Sequence, residues 1–240
     1  MSRVLIIIPA LNEEATIGAV LDGLRAEAPD CDVLVVDDGS TDATASIVAR
    51  HGGAALVRLP QNLGIGGAMQ TGYKYALRHG YDIAVQCDAD GQHPVHQIPA
   101  LVKAVETGRS DLAIGSRFVA NTGYRPSLPR RIGKSVLSRI VDSLIGGGIT
   151  DTTSGFRAMN RDVLALFAHR YPDDYPEAEA LIMVYKNGLK AIEIPVNMNP
   201  RQGGRTSIRP HNAVYYMLKV VLAIFVSLFR KSTRADGDVS

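Results

Sequence analysis

Five short apolar runs in the first half of the sequence constrain the fold more than any other feature. They are rich in Val and Ile and lie at Val4–Ile8, Val33–Val36, Ala55–Leu59, Ile83–Val85 and Leu112–Ile114. Longer segments with helical spacing separate most of them, at Ala15–Ala26, Thr41–Arg50, Gly67–His79 and Val95–Glu106. Strands that are apolar on both faces and alternate with helices indicate an α/β fold with a mostly parallel central sheet flanked by helices.

The second half is less regular. Phe118–Arg131 is typical of a long loop, and Lys134–Leu144 of an amphipathic helix. The stretch DTTSGFRAMNRDVLALF begins polar and is predicted to become helical. Leu189–Val196 is predicted to be a strand, and the turn-rich stretch NPRQGGRTS follows it.

Composition and charge narrow the class of protein. A length of 240 residues suits one large domain or two small ones, and a net charge of +2 excludes a strongly basic nucleic-acid binder. The two cysteines, Cys31 and Cys87, form no CxxC motif. They are expected to be buried or half-buried thiols, which favours the cytosolic side of a membrane as the compartment.

Polar residues follow each of the five apolar runs. Because the carboxyl ends of parallel strands meet at one edge of a sheet, these residues are predicted to share a ligand site there. One such group alone could serve in helix capping or turns, but five at one edge favour a shared site. In chain order they are Pro9, Asn12, Glu13 and Glu14; Asp37, Asp38, Gly39 and Ser40; Asn62, Gly64, Gly66 and Gly67; Asp88, Asp90, Gln92 and His93; and Gly115, Ser116 and Arg117.

The stretch AVQCDADGQHP indicates a divalent cation. Asp88 and Asp90 lie one residue apart, and their negative charges repel each other unless a positive charge lies between them. Two carboxylates can anchor Mg²⁺ or Mn²⁺ while a diphosphate fills the remaining positions. Gln92 could add a ligand or bind a metal-bound water, and His93 could either support the loop or bind the ion. A solvated turn is the alternative for the aspartate pair.

Two other nucleotide-binding patterns are disfavoured. The glycine-rich stretch NLGIGGA follows the third apolar run instead of the first, and its spacing is not GxGxxG. An NAD-linked oxidoreductase is therefore a weak hypothesis. The GxxxxGK[ST] pattern of a P-loop does not occur in the sequence.

An ordered set of motifs resembles family 2 glycosyltransferases with the GT-A fold. The motifs are IIIPALNEE, VVDDGSTDAT, NLGIGGA, DADGQHP, GSR and DTTSGFRAMNR, and the resemblance covers about residues 4–208. The nearest branch is that of polyprenyl-phosphate (dolichol-phosphate) sugar transferases and their bacterial polysaccharide relatives. This resemblance implies an inverting transfer of a sugar from a nucleotide-sugar.

The resemblance also implies roles on the donor side of the site. Asp88, Ala89 and Asp90 would form the DXD-type motif that coordinates Mg²⁺ or Mn²⁺ on the diphosphate, with Gln92 nearby. The other donor contacts would be Pro9, Asn12 and Glu13 at the base and ribose, Asp37 at the nucleobase with Asp38 supporting the loop, and Gly66 and Gly67 where the backbone approaches the donor.

The resemblance implies further that Arg117 faces phosphate, and that Asp151, Ser154, Gly155 and Arg157 shape the sugar and acceptor side. Arg201 would lie in a flexible loop that closes over the diphosphate. That loop departs from the branch, because Gly204-Arg205-Thr206-Ser207 replaces the common Gly-Glu-Ser-Lys.

An acidic pair near the second half of the site leaves two interpretations open. Glu177 and Glu179 follow Pro176 at a predicted helix start, where acidic residues are favoured by capping alone. Either could instead act as the base for a sugar hydroxyl acceptor. A phosphate acceptor is already ionised and needs no base.

The C-terminal stretch Ala213–Phe229 is apolar on one face and carries Lys219 within it. It is expected to be an interfacial helix on an anionic membrane; a core-docking helix and a true span are the alternatives. The expected organisation is a catalytic domain at 1–208, this helix within 209–231, and a disordered tail at 232–240.

The resulting prediction is a metal-dependent, inverting glycosyltransferase at the cytosolic face of the cell membrane. Its donor would be a UDP-, GDP- or dTDP-sugar, and its acceptor a polyprenyl phosphate or a lipid-linked glycan. No nucleic-acid partner is expected, while a membrane-protein partner or a homo-oligomer stays open. The alternative is a non-catalytic, nucleotide-sugar-binding subunit that recruits a membrane partner.

Overall fold

The structure, a computed structural model, describes residues 2–119, 147–173 and 176–199. The strands are β1 (Val4–Ala10), β2 (Asp32–Asp37), β3 (Ala55–Arg58), β4 (Ile83–Gln86), β5 (Leu112–Ser116), β6 (Arg157–Met159) and β7 (Ala191–Pro195). The helices are α1 (Ile17–Glu27), α2 (Thr44–His51), α3 (Gly64–Arg78), α4 (Ile98–Glu106), α5 (Arg161–His169) and α6 (Pro176–Lys186). A short 3-10 helix, Val95–Gln97, precedes α4.

The seven described strands form one sheet in the order β3-β2-β1-β4-β6-β5-β7. β1 pairs in parallel with β2 and with β4, β2 with β3, and β5 with β7. Among these strands β6 alone runs antiparallel, between β4 and β5. The chain builds outward from β1 through β2 to β3 and then returns to β4 on the other side of β1. Open α/β sheets bind ligands at the carboxyl ends of the strands where the order reverses in this way.

Helices cover both faces of the sheet, which explains the continuous apolar strands. In β1, Leu5 and Ile7 pack into a core shared with α3, α5 and α6. Ile6 and Ile8 pack into the opposite core, beneath α1, α2 and α4. A strand with helices on both faces has no solvent side, so both sets of alternating residues are apolar.

The elements predicted in the first half are confirmed. Their ends differ from the predicted ones by up to three residues, as at α2, which begins at Thr44 where the spacing predicts Thr41. The predicted helix Val95–Glu106 divides into the 3-10 turn and α4. The predicted strand Leu189–Val196 is present as β7.

The prediction for DTTSGFRAMNRDVLALF is wrong in one respect. Its helical part is present as α5, but the strand β6 precedes that helix. Arg157 opens this strand and is 1% exposed. A three-residue strand that begins with a buried arginine has no apolar run by which sequence patterns could detect it.

Several predicted features lie outside the described residues. They are most of the loop Phe118–Arg131, the helix Lys134–Leu144, Arg201 with its loop, and the segment Ala213–Phe229. The predicted domain boundaries therefore stay predictions. Within 2–119, 147–173 and 176–199, none of the helices is long and apolar enough to cross a membrane.

Candidate active site

The polar groups that follow β1 to β5 lie at one edge of the sheet, because these five strands run in the same direction. Ala10 at the end of β1 is opposite Asp37 of β2, and the Cys87 backbone N–H donates to Ile7 O on the other side of β1. Asp37 and Asp88 therefore flank the end of β1. Adjacent strands are about 4.8 Å apart, so these two aspartates follow strands separated by about 10 Å.

The loop after β4 holds two carboxylates in different environments. The Asp88 side chain is 39% exposed, whereas Asp90 is 8% exposed. Asp90 Oδ1 accepts a 3.0 Å hydrogen bond from the backbone N–H of Gln92. Burial raises the pKa of Cys87 far above its usual range, and the charges of Asp88 and Asp90 add to the effect. Cys87 is thus a buried neutral thiol, as predicted.

The donor set of this loop suits a hard divalent cation that is also bound by substrate oxygens. Asp88, Asp90 and Gln92 offer oxygen ligands, which Mg²⁺ and Mn²⁺ prefer. No group of three or more acidic, His or Cys side chains with metal-binding spacing occurs within the described part of the chain. An ion here would therefore complete its coordination with water or with oxygens of a bound substrate.

A glycine lies directly beside Asp88. A Cβ on Gly155 would be 3.7 Å from each carboxylate oxygen of Asp88 and 3.0 Å from Gln86 Nε2. The segment that leads into β6 consequently borders the aspartate without a side chain between them. Ser154 holds this segment in place, because its hydroxyl donates a 2.6 Å hydrogen bond to Gly115 O at β5.

On the β2 side, Asp38 holds the glycine-rich loop. Its carboxylate accepts hydrogen bonds from Leu63 N at 2.7 Å and from Gly64 N at 2.9 Å, at the start of α3. Burial nevertheless raises the pKa of Asp38, against the lowering effect of these two N–H groups, and the neighbouring Asp37 charge adds to the rise.

Asp37 is almost fully buried at the end of β2. Its Oδ1 accepts from Ser40 N at 3.0 Å, and its Oδ2 accepts from Arg58 Nε at 3.2 Å. Arg58 is 62% exposed, so this ion pair is open to solvent on the arginine side. The predicted contact of Asp37 with a nucleobase stays a prediction.

The loop after β1 is tied to the loop after β2. Asn12 has a positive φ of 55°, which asparagine tolerates, and its Oδ1 accepts from Thr41 N at 2.9 Å. Glu13 N donates to Thr44 Oγ1 at 2.8 Å. Pro9 is half-buried within β1, and Ala89 is buried between the two aspartates.

Gly66 and Gly67 lie in the first turn of α3. A Cβ on Gly66 would collide with Pro172 O and would lie 2.5 Å from Asp173 O. The resemblance implies that Gly66 lets the backbone approach a donor, which stays a prediction, and the structure also gives Gly66 a packing requirement against the loop after α5. A Cβ on Gly67 would meet Leu63 Cβ at 2.6 Å.

Arg117, predicted to face phosphate, binds the fully buried carboxylate of Asp151. Its Nε and Nη2 each donate at 2.8 Å, and its backbone N–H donates at 3.2 Å. Asp151 N donates in turn to Glu193 Oε1 of β7 at 2.6 Å. The carboxylate therefore fixes the guanidinium at the end of β5.

Arg157 joins the segment beside Asp88 to the first turn of α6. Its guanidinium donates to Ser154 O at 2.7 Å and to Glu177 O at 2.9 Å. Burial raises the pKa of Glu177; the Arg157 charge opposes this, and the Asp88 charge adds to it. Glu179, half-buried in the same turn, is two residues further on, so its side chain leaves the helix in a different direction.

The chain matches the family model described as "Glycosyl transferase family 2" over residues 5–167, which is more than half of its length. The chain belongs to glycosyl transferase family 2. The predicted glycosyltransferase activity is thereby confirmed.

Curated relatives of this family 2 glycosyltransferase agree with the predicted branch. A polyprenol monophosphomannose synthase from Mycolicibacterium smegmatis is 32% identical over 91% of this chain and 85% of its own. An undecaprenyl-phosphate mannosyltransferase from Micrococcus luteus is 33% identical over 86% and 87%. A UDP-N-acetylglucosamine–dolichyl-phosphate N-acetylglucosaminyltransferase from Methanococcus voltae is 32% identical over 80% and 83%.

Solved structures confirm the predicted GT-A fold of the glycosyltransferase. A glucosyl-3-phosphoglycerate synthase from Mycobacterium tuberculosis, in complex with Mn²⁺, UDP and glucosyl-3-phosphoglycerate, superposes with a TM-score of 0.72. It is 23% identical, and the match covers 94% of this chain and 80% of that one. A second complex of that synthase contains Mg²⁺ and UDP and gives a TM-score of 0.71.

The sequence alone does not reveal two features of the glycosyltransferase site. The sequence leaves the role of His93 open, although DADGQHP places it five residues after Asp88. The partner of Arg117 is not apparent either, because Asp151 lies 34 residues away along the chain.

One cavity among the described glycosyltransferase residues lies away from this site. It has a volume of about 600 Å³ and is lined by Leu5, Asp32, Ala55 and Tyr81, among others. These residues lie at the amino ends of the strands. The cavity is therefore at the opposite edge of the sheet from Asp37 and Asp88.

Proposed function

We propose that this glycosyltransferase moves a hexose from a nucleoside diphosphate sugar to a polyprenyl phosphate, with Mg²⁺ or Mn²⁺, and inverts the anomeric centre. The observation that carries the proposal is the loop after β4. There the partly exposed carboxylate of Asp88 and the buried carboxylate of Asp90 lie close in the chain, at the point where the strand order of the sheet reverses.

The donor is inferred from the spacing of the acidic residues at the sheet edge. Asp37 and Asp88 lie on either side of the end of β1. An elongated ligand with a polar base at one end and a pyrophosphate at the other suits this arrangement. Supporting this, the mycobacterial synthase of the same fold was crystallised with UDP and Mn²⁺.

The chemistry assigned to the chain's residues is positioning and charge stabilisation. Asp88 and Asp90, with Gln92, would hold the ion, which when bound supplies positive charge against the charge that develops on the departing diphosphate. The acceptor oxygen attacks the anomeric carbon from the opposite face. The bond to the diphosphate oxygen breaks, and its electron pair stays with the diphosphate.

A phosphate acceptor is favoured over a sugar hydroxyl. The three relatives described above carry polyprenol, undecaprenyl-phosphate and dolichyl-phosphate in their names. A phosphate oxygen is ionised at neutral pH and requires no general base. In that case Glu177 and Glu179 have a structural role in the first turn of α6, where acidic residues interact favourably with the helix dipole.

A lipid acceptor places the reaction at a membrane surface. We propose the cytosolic face, because nucleotide-sugars are cytosolic and the thiols Cys31 and Cys87 are unpaired. The predicted interfacial helix Ala213–Phe229 would provide the attachment.

The test measures release of nucleoside diphosphate from UDP-, GDP- and dTDP-hexoses with a lipid extract and Mn²⁺. Asp90→Asn should lower turnover by at least about 100-fold while the thermal midpoint stays near that of the parent. Asp30→Asn is the matched control. It changes an exposed aspartate two residues before β2 and should retain full turnover.

Full turnover of Asp90→Asn, or of the parent in excess EDTA, would contradict the proposal. Binding of a nucleotide-sugar without release of nucleoside diphosphate, under any lipid condition, would instead favour a non-catalytic binding subunit.

A further inference from the structure

His93 contacts Asp88 at two points, across the turn of the loop after β4. Its Nδ1 accepts a 2.9 Å hydrogen bond from the backbone N–H of Asp88. Its Nε2 lies 3.4 Å from Asp88 Oδ2. One imidazole ring thus faces both the backbone and the carboxylate of the same residue.

The backbone contact determines which ring nitrogen carries the proton. A nitrogen that accepts a hydrogen bond from an amide N–H cannot itself be protonated. The proton of a neutral His93 is therefore on Nε2. The two ring nitrogens point in divergent directions, so the 3.4 Å approach of Nε2 to Asp88 Oδ2 is an electrostatic contact without hydrogen-bond geometry. The directional contact of the ring with Asp88 is the one through Nδ1.

The ring itself is held in place. It stacks on Phe156 with centroids 4.8 Å apart and planes inclined by 29°. Phe156 is fully buried, and His93 is 6% exposed. Phe156 immediately precedes β6, so the imidazole is supported by the same segment that borders Asp88 through Gly155.

We propose that His93 is a positioning residue of the divalent cation site: its Nδ1 fixes the backbone N–H of Asp88, and thereby the place of the Asp88 carboxylate, and it does not bind the ion itself. The proposal rests on the proposed function. Outer hydrogen-bond partners of ligating residues commonly contribute 10- to 100-fold to metal affinity. His93 is such a partner of Asp88 through the backbone N–H.

Two substitutions separate the contacts of the ring. Asparagine carries its amide oxygen near the place of Nδ1, so His93→Asn retains the acceptor for the Asp88 N–H. Glutamine carries its polar group near the place of Nε2, so His93→Gln loses that acceptor. Both remove the stacking on Phe156 and should lower the thermal midpoint by similar amounts.

The first measurement is a titration of each full-length protein with Mn²⁺ alone, with free ion followed by electron paramagnetic resonance. His93→Gln is expected to bind Mn²⁺ about 10- to 100-fold more weakly than the parent. His93→Asn should stay within about 5-fold of the parent. Equal affinities of both variants and the parent would overturn the proposal, as would equal losses in both variants.

The second measurement needs no metal. In ¹⁵N-histidine-labelled parent protein at pH 8, the His93 resonances should be those of the Nε2–H tautomer, and an Nδ1–H tautomer would overturn the proposal. If the parent itself binds Mn²⁺ no better than Asp90→Asn does, the proposed function fails together with this inference. A failure confined to the His93 variants leaves the proposed function intact.

Discussion

Arg117 donates two hydrogen bonds of 2.8 Å each to the buried carboxylate of Asp151. The pair joins the end of β5 to the segment that precedes β6, and Glu193 extends the link to β7. The end of β5, the segment before β6 and β7 are therefore held together by charge-assisted hydrogen bonds. Such a group is sensitive to the loss of one member, because the remaining charge is left without its partner.

A double-mutant cycle tests this ion pair. Arg117→Met leaves the buried Asp151 carboxylate unpaired and should lower the free energy of unfolding by about 3 kcal/mol. Arg117→Met combined with Asp151→Asn removes both charges and should cost less than that single change. Urea unfolding of the parent, the single variants and the double variant gives the coupling energy. A double variant less stable than Arg117→Met would refute the interpretation.

Substitution of Gly66 tests why the glycine-rich loop carries its glycines. Gly66→Ala forces the new methyl group onto the backbone oxygens of Pro172 and Asp173, and should destabilise the fold by about 1–3 kcal/mol. Gly18→Ala is the matched control in α1. There the nearest atom to a Cβ is Ile47 Cγ2 at 3.8 Å, so this change should be neutral or stabilising by up to about 1 kcal/mol. Thermal unfolding without nucleotide separates the two; equal effects would exclude the packing explanation.

The activity of Glu177→Gln distinguishes the two classes of acceptor. With a polyprenyl phosphate acceptor no base is needed, and kcat should fall by less than about 10-fold. With a sugar hydroxyl acceptor and Glu177 as its base, the loss should reach about 100- to 10,000-fold. The measurement is kcat at saturating donor with each acceptor supplied separately. A large loss with the phosphate acceptor would argue against the proposed role of this helix turn.

The difference in stability between Glu177→Gln and the parent should depend on pH. Burial raises the pKa of Glu177 above its ordinary value of 4.5, so ionisation of this group favours the unfolded chain. The parent therefore loses stability as pH rises from about 4.5 through the pKa of the folded state, whereas glutamine does not titrate. The unfolding free energy of Glu177→Gln minus that of the parent should increase over this range and then level off.

Urea unfolding of both proteins at several pH values above 4.5 measures that difference. Asp38, whose pKa is also raised, is present in both proteins and cancels in the comparison. A difference that decreases as pH rises would mean that the folded state favours the ionised carboxylate, contrary to this prediction.

The first half of the fold could be predicted because its signals are local. Apolar runs such as Ile83–Val85 are buried on both faces, and their short length, their Val and Ile content and their alternation with helical segments identify them as strands. The common edge of the polar groups followed from the parallel arrangement of the strands. These predictions required no knowledge of individual side-chain partners.

The parts that could not be predicted depend on long-range pairing. Arg157 is polar in the sequence, yet it is buried because backbone carbonyls of Ser154 and Glu177 receive its N–H groups. The proton position of His93 depends on a backbone contact that has no sequence signature. In both cases the partner becomes apparent only when the chain has folded.

The antiparallel course of β6 limits how the length of this region can change. Arg157 pairs with Gln86, and Ala158 beside it faces the opposite core. Successive strand residues alternate between faces, so inserting or deleting one residue between Asp151 and Asn160 would exchange them. The guanidinium would then enter the apolar layer beneath α4, and a methyl group would replace it next to α6. Lineages of this enzyme should therefore retain the number of residues between Asp151 and Asn160.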